Sequence, residues 1–427
     1  MKRLLSANKA ALYHNGSVLV KSLSGPLTFI LLAEKFTEIE QGLFFSFLSL
    51  GALQIIFEAG ISTSIVQFML HEKATSDNKD KYFGFLKLAF FWCFVSAICV
   101  VLLGVVLSNY IYGDYPKSTW QTSLYLYLFA IGANLLFTYI YIAAEGNGYV
   151  DFVYKYRFYG AIASSVALWL ALINDFGLYA LSIANIFMLA PLLLNRKTWL
   201  FILDIKTGNI ILLKSAFQDI KRLQLKLMLV WATGYLYWNS PVLIIFKFVD
   251  PVYAGNFGLT FSLLNAVSQL GQGWVLTRRA LLGSLIAKRE YKKAKALFTK
   301  CSYASTFAVL GVFIVLMVSK QLIGELLFFP RTLNTSSFFL LCLFFIILTH
   351  ISNLATYTRC FKEEPLYYVF LIINILVPSV LLYAGLNGVI EVGLLLIWLL
   401  HIFYLILSQL IVISFERAYI KKVNVVS

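Results

Sequence analysis

Twelve apolar runs divide the 427-residue chain, and the segments between them are alternately rich and poor in Lys and Arg. No other feature constrains the fold as tightly. A helix needs ~20 mostly apolar residues to cross ~30 Å of hydrocarbon. Within that layer each backbone amide must be satisfied by the protein itself, so such runs become helices. The runs fall at about 12–33, 42–70, 83–108, 122–144, 156–173, 177–195, 223–246, 252–276, 302–319, 337–358, 366–385 and 389–413. With 60% hydrophobic and only 13% charged residues, little is left to coat a soluble domain.

The basic residues orient these runs. With the N-terminus in the cytoplasm, 28 of the 35 Lys and Arg fall in inner segments. Outer loops hold Lys35, Lys117, Lys247, Lys320 and Arg331, while Lys21 and Lys87 lie within spans. This is the positive-inside bias, and it predicts a cytoplasmic location for both termini. The net charge of +15 is then an excess at the membrane boundary, not a nucleic-acid footprint. The polar, basic stretch Met1–Gly16 precedes a full-length span, so no cleaved signal peptide is expected. Within it, Leu4, Leu5 and Ala10 to Leu12 are expected to form a short interfacial helix. The five cysteines show neither metal spacing nor outer-loop pairing and read as packing residues.

The expected fold class is all-α: a polytopic membrane protein with twelve transmembrane helices in two pseudo-symmetric six-helix bundles around a central cavity. The N-terminal bundle covers 1–195, a basic cytoplasmic linker 196–222, and the C-terminal bundle 223–427, ending in a short cytoplasmic tail. An internal repeat supports two halves. At an offset of 213, Gly42, Phe44, Ser49, Leu50 and Gly60 align with Gly255, Phe257, Ser262, Leu263 and Gly273. Each half starts inside and has an even number of spans, so the repeat is parallel. Folds of that kind place their substrate near the midplane and expose it alternately to the two sides.

The loops exclude most chemistry. None is long enough to build a domain. There is no Walker-type G-x-x-x-x-G-K-[ST] and no His/Cys/acid cluster with metal spacing. No catalytic residue, cofactor or metal is expected. A membrane-embedded polysaccharide polymerase or glycosyltransferase would need a large outer loop or an acidic metal motif, so it is the weakest of the alternatives.

Polar residues inside spans carry the functional reading, because a charge at mid-membrane costs at least ~2.5–3.5 kcal/mol. Lys21 lies near the middle of span one, sharing a face with His14 at helical spacing. It reads either as a cationic contact for an anionic headgroup or as a snorkelling or ion-paired structural residue. Glu58 is the one acid deep in a span, with Gln54 and Ser62 a turn to either side. It reads as a structural counter-ion for Lys21 or as a coupling site. Span eight carries Ser262, Asn265, Gln269, Gln272 and Arg279 at steps that keep them on one face, which predicts a cavity lining or helix contact. Arg279 reads as a phosphate fork or as an inner-end anchor. Asn239 beside Pro241 in span seven and His350 with Asn353 in span ten complete the candidate substrate contacts. Tyr235, Tyr237 and Trp238 read as interfacial aromatics or as sugar-stacking rings. His401 reads as a packed helix contact.

The stretch Gln41-Gly42-Leu43-Phe44-Phe45 through Ile56-Phe57-Glu58-Ala59-Gly60-Ile61-Ser62 resembles the span-two signature of Wzx-type lipid-linked oligosaccharide flippases. These belong to the multidrug/oligosaccharidyl-lipid/polysaccharide (MOP) exporter superfamily. The family's Phe-Gly-x-Tyr start stands here as Gln41-Gly42-Leu43-Phe44, and its Asp as Glu58. The twelve-span plan and the basic loop after span eight are also similar. The resemblance implies a bacterial inner-membrane protein with a cationic cavity for undecaprenyl-diphosphate-linked oligosaccharide, with Lys21 and Arg279 at its cationic positions. It implies alternating access driven by a proton or sodium gradient, and membrane lipids and other polysaccharide-assembly proteins as partners. The rival reading within the superfamily is a cation-coupled exporter of drugs or small metabolites.

Overall fold

The computed structural model describes residues 2–75, 79–195, 198 and 210–426. Among them there are helices and no strand. The helices are α1 (Lys2–Lys35), α2 (Glu38–Gly51), α3 (Gln54–Glu58), α4 (Ile61–Thr75), α5 (Lys79–Ile111), α6 (Lys117–Gly146), α7 (Val150–Ile173) and α8 (Tyr179–Leu193). They continue as α9 (Ile210–Trp238), α10 (Ser240–Phe248), α11 (Pro251–Leu276), α12 (Arg279–Ala287), α13 (Tyr291–Leu322), α14 (Thr335–Arg359), α15 (Tyr367–Leu386) and α16 (Ile390–Val426). Every apolar run of the sequence coincides with one helix or with a broken series of helices. Among the described residues eight segments are long and apolar enough to span by themselves, counting α2 to α4 as one, and the bent pair α9–α10 makes a ninth. Helices α1, α8 and α11 account for the remaining runs.

Two breaks depart from the apolar pattern. Span two is divided at Ala52–Leu53 and again at Ala59–Gly60, where both residues have positive φ (49° and 70°). Span seven bends by 44° between α9 and α10, at Asn239 and just before Pro241. A proline lacks the N–H that the preceding turn requires, which explains this second break. Two further differences concern helix continuity. The interfacial helix expected near Leu4 is the start of α1, which runs unbroken from Lys2 into span one. The basic loop after span eight contains a helix of its own, α12.

Backbone packing divides the chain into compact units at Leu243/Ile244. The sequence placed the start of the second bundle at 223. The difference arises because α9 packs on α3, α4 and α5 of the first unit. The expected linker 196–222 lies outside the described residues up to 209, apart from Thr198, and is helical from Ile210 onward.

In the first unit α6 is central and α5 peripheral: 61% of the apolar window of α6 is buried, against 22% for α5. The outer face of α5 presents Phe91, Phe94, Val95, Ile98, Leu102 and Val106 at helical spacing, a stripe suited to lipid. Its inner face joins Ile61, Ile65 and Met69 of α4, Tyr139 and Ile140 of α6 and Ile220 of α9 in one core. Helices α7 and α8 approach so closely that a Cβ at Gly160 would stand 2.6 Å from the backbone oxygen of Met188. In the second unit α14 is the central helix, again 61% buried. It packs on α11, α13 and α16. Phe298 of α13 stacks on Tyr357 of α14 with ring centroids 4.3 Å apart.

The aligned spans two and eight begin alike. Thr37 caps α2 through a capping box with Glu40, and Asp250 caps α11 through the Tyr253 amide. These caps stand at the same offset as the internal repeat. Downstream the halves diverge. Gly60 has positive φ at a helix break, whereas its counterpart Gly273 lies inside an unbroken helix.

Candidate functional site

The break in span two exposes backbone carbonyls that a continuous helix would have satisfied, and unmatched polar groups in hydrocarbon cost several kcal/mol each. Neighbouring side chains fill the gap. Trp92 Nε1 and Ser96 Oγ of α5 donate to the Phe57 carbonyl at 2.9 and 3.0 Å. Gln224 Nε2 of α9 donates to the Ala59 carbonyl at 2.9 Å, while Ser64 Oγ donates to Gln224 Oε1 at 3.2 Å. One turn and more away, the Tyr235 hydroxyl donates to the Ser49 carbonyl at 3.2 Å. Glu58 ends α3 at this break, half-buried, and its Oε1 accepts from Ser62 Oγ at 2.7 Å. Gln54 starts the same short helix and is also half-buried. The expected Glu58 partner Lys21, and His14, have side chains outside the described residues, although their backbone belongs to α1.

Span eight presents its amides in two ways. Gln269 is exposed and Asn265 half-buried, so these two face outward from the packed side of α11. Gln272 instead donates to Ser268 Oγ at 3.2 Å, and Ser268 is 2.7 Å from Thr349 Oγ1 of α14. That part of the stripe is a helix contact. Arg279 does not share the stripe: α11 ends at Leu276, and Arg279 opens α12, exposed, with its carbonyl accepting from Cys360 Sγ at 3.7 Å. The residue spacing assumed a helix that the turn at Thr277–Arg278 ends.

Asn239 sits in the bend between α9 and α10, half-buried. Tyr235 and Tyr237 are buried at 5% and 4% exposure, which removes them as sugar-stacking rings in this conformation; Trp238 is partly exposed. His401 is buried with Nδ1 2.7 Å from the Ile397 carbonyl and its ring against Phe344, a packed helix contact. His350 borders a cavity of the second unit, with Nδ1 3.4 Å from Ser302 Oγ and Nε2 3.3 Å from Gln409 Nε2.

Span twelve is held at each end by a carboxylate the sequence reading did not single out. At its start Glu391 Oε1 accepts from Asn334 Nδ2 at 3.0 Å and from the Tyr253 hydroxyl at 3.3 Å. At its other end Glu416 accepts from Lys295 and Tyr357. Both acids fall at the edges of apolar runs, where an unpaired surface charge is the ordinary expectation. Their roles depend on partners far away in sequence. Among the described residues no group of His, Cys, Asp and Glu could hold a metal ion.

No family model matches the chain, and no curated protein matches it. Nineteen solved chains do. An inward-facing multidrug resistance MATE family transporter of the MOP superfamily superposes with a TM-score of 0.67 at 12% identity, covering 94% of this chain and 96% of its own. The lipid II flippase MurJ in an inward closed conformation gives 0.65 at 13% identity, over 93% and 87% of the two chains. The MATE multidrug transporter DinF-BH gives 0.52 at 16% identity, over 96% and 94%. The chain therefore has the fold of MOP superfamily transporters, a multi-pass all-helical membrane fold. The three solved proteins just described are transporters and a lipid flippase.

Proposed function

We propose that the protein is a flippase for undecaprenyl-diphosphate-linked oligosaccharide, carrying it from the cytoplasmic to the outer leaflet by alternating access for O-antigen or capsule synthesis. The observation that carries this reading is the outward amide face of span eight, where Asn265 and Gln269 lie on a helix whose length would span a membrane. Uncharged amides are costly against lipid and suited to hydrating or binding sugar hydroxyls. Support comes also from the span-two signature and from the fold shared with a lipid II flippase. Lys21 supplies the cationic contact for the diphosphate, and a proton or sodium gradient drives the cycle. The barrier lowered is desolvation of a large polar headgroup, so no covalent step is required.

The rival reading, a cation-coupled exporter of drugs or small metabolites, is favoured by the superposition on a multidrug transporter. Two assays separate them. In cells lacking the protein, lipid-linked oligosaccharide accumulates on the cytoplasmic face if the flippase reading holds. Unchanged lipid-linked pools together with lost drug efflux would establish the exporter instead.

A further inference from the structure

The second unit contains a cavity of about 220 Å³ between α13, α14 and α16. Its polar lining includes Lys295, Ser302, His350, Tyr357, Gln409 and Glu416. The Glu416 side chain is 7% exposed and both its oxygens are engaged: Oε2 accepts from Lys295 Nζ at 2.6 Å and Oε1 from the Tyr357 hydroxyl at 2.9 Å. Lys295 remains 57% exposed on the opposite side of the pair. An ammonium has three N–H donors, so Lys295 retains donors for a further acceptor. Gln409 turns its Nε2 to His350, which leaves its carbonyl oxygen for a further donor. At the rim the ring of Tyr303 and the side chain of Ile413 stand exposed and give this polar floor an apolar edge.

A neutral ion pair beneath an apolar rim fits an amphiphile with a short zwitterionic head. The cavity also lies at the ends of the spans that border the most basic segment of the chain, residues 277–300. Such ends stand at headgroup depth. We infer that this cavity binds the headgroup of a membrane phospholipid bearing a primary amine, of the phosphatidylethanolamine type. The lipid phosphate accepts from Lys295, and its ammonium donates to Glu416 and to the Gln409 carbonyl. A glycerol headgroup would satisfy Lys295 but offers Glu416 only uncharged hydroxyls, with no cation to balance its charge. A choline headgroup has no N–H to donate. The acyl chains stay against the rim. This lipid site is independent of the cargo proposed above.

Native mass spectrometry of the full-length protein in detergent tests the site, with dioleoyl phosphatidylethanolamine, phosphatidylglycerol and phosphatidylcholine added singly. The expected result is one ethanolamine lipid retained about tenfold more readily than either of the others, the scale of one added charge-assisted hydrogen bond. Lys295→Met and Gln409→Leu are both at exposed side chains: the first removes the phosphate contact common to all three lipids and should lower retention of each, and the second should reduce the ethanolamine preference. Glu416→Gln should abolish it. Equal retention of the three lipids, stronger retention of phosphatidylglycerol, unchanged retention in Lys295→Met, or a preference that survives undiminished in both Gln409→Leu and Glu416→Gln would overturn the assignment.

Discussion

Gln224 Nε2 donates to the backbone carbonyl of Ala59 at 2.9 Å, across 165 residues of sequence. Through this bond a buried amide of α9 satisfies the carbonyl freed at the break between α3 and α4, and α9 packs on both of these helices. The Trp231 ring, two turns further along α9, covers Gly60 at the same break.

Replacing Gln224 by Leu removes the donor to Ala59 and the acceptor from Ser64 while roughly preserving volume. A buried carbonyl and hydroxyl are left unmatched. The expected loss is about 1–3 kcal/mol per orphaned group. Thermal unfolding in detergent should show a clear fall in midpoint, with Gln224→Glu intermediate or worse because it buries a charge.

Gly60 has φ of +70°, and a Cβ there would approach Trp231 Nε1 to 2.5 Å. Gly60→Ala should cost about 1–3 kcal/mol through backbone strain and displacement of the indole. Trp231→Phe in the same background removes the nearest atom but not the strain, so only part of the stability should return. Gly273→Ala at the aligned position meets open space in a helix and should be neutral or slightly stabilising. Equal effects at the two glycines would contradict the asymmetry of the repeat.

Tyr357→Phe keeps the stack on Phe298 but removes the hydroxyl that donates to Glu416 at 2.9 Å. The carboxylate retains Lys295, so the expected loss is about 1–2 kcal/mol, less than for leaving a buried charge without any partner. Measured against Lys295→Met in a double-mutant cycle, the two effects should be non-additive because both act on one carboxylate.

The joint substitution Asn265→Leu with Gln269→Leu should leave folding intact, since neither residue is buried, and should abolish translocation of lipid-linked oligosaccharide. Substituting Gln272, which is tied to Ser268, should act on stability instead. Transport in reconstituted vesicles and unfolding midpoints measured on the same preparations distinguish these outcomes. Loss of translocation is also expected for Lys21→Ala; full activity there would remove Lys21 as the diphosphate contact.

Much of the helical plan is legible in the sequence. Apolar runs must become helices in lipid, so the span list follows from composition along the chain. Pro241, beside Asn239 in span seven, stands at the bend. Arg279 was misplaced on the span-eight face because apolar periodicity carries no signal for the turn at Thr277–Arg278. Apolar patterning gives no sign of the break at Ala52–Leu53, because residues 42–70 form one apolar run; the break at Ala59–Gly60 falls in the acidic-x-Gly stretch that carries the family resemblance. Gln224 could not be recognised because its partner is a carbonyl, and every residue presents one.

The sequence alone determined that this chain is a bundle of membrane helices and where each apolar run lies, because burial of apolar surface and satisfaction of the backbone are local, additive demands. Tertiary structure alone decided which polar residues are structural. Gln272, Tyr235 and Glu416 became packing partners, while Asn265 and Gln269 remained outward-facing. That division depends on geometry between segments far apart in the chain, where a hydrogen bond forms only if two groups meet within about 3 Å.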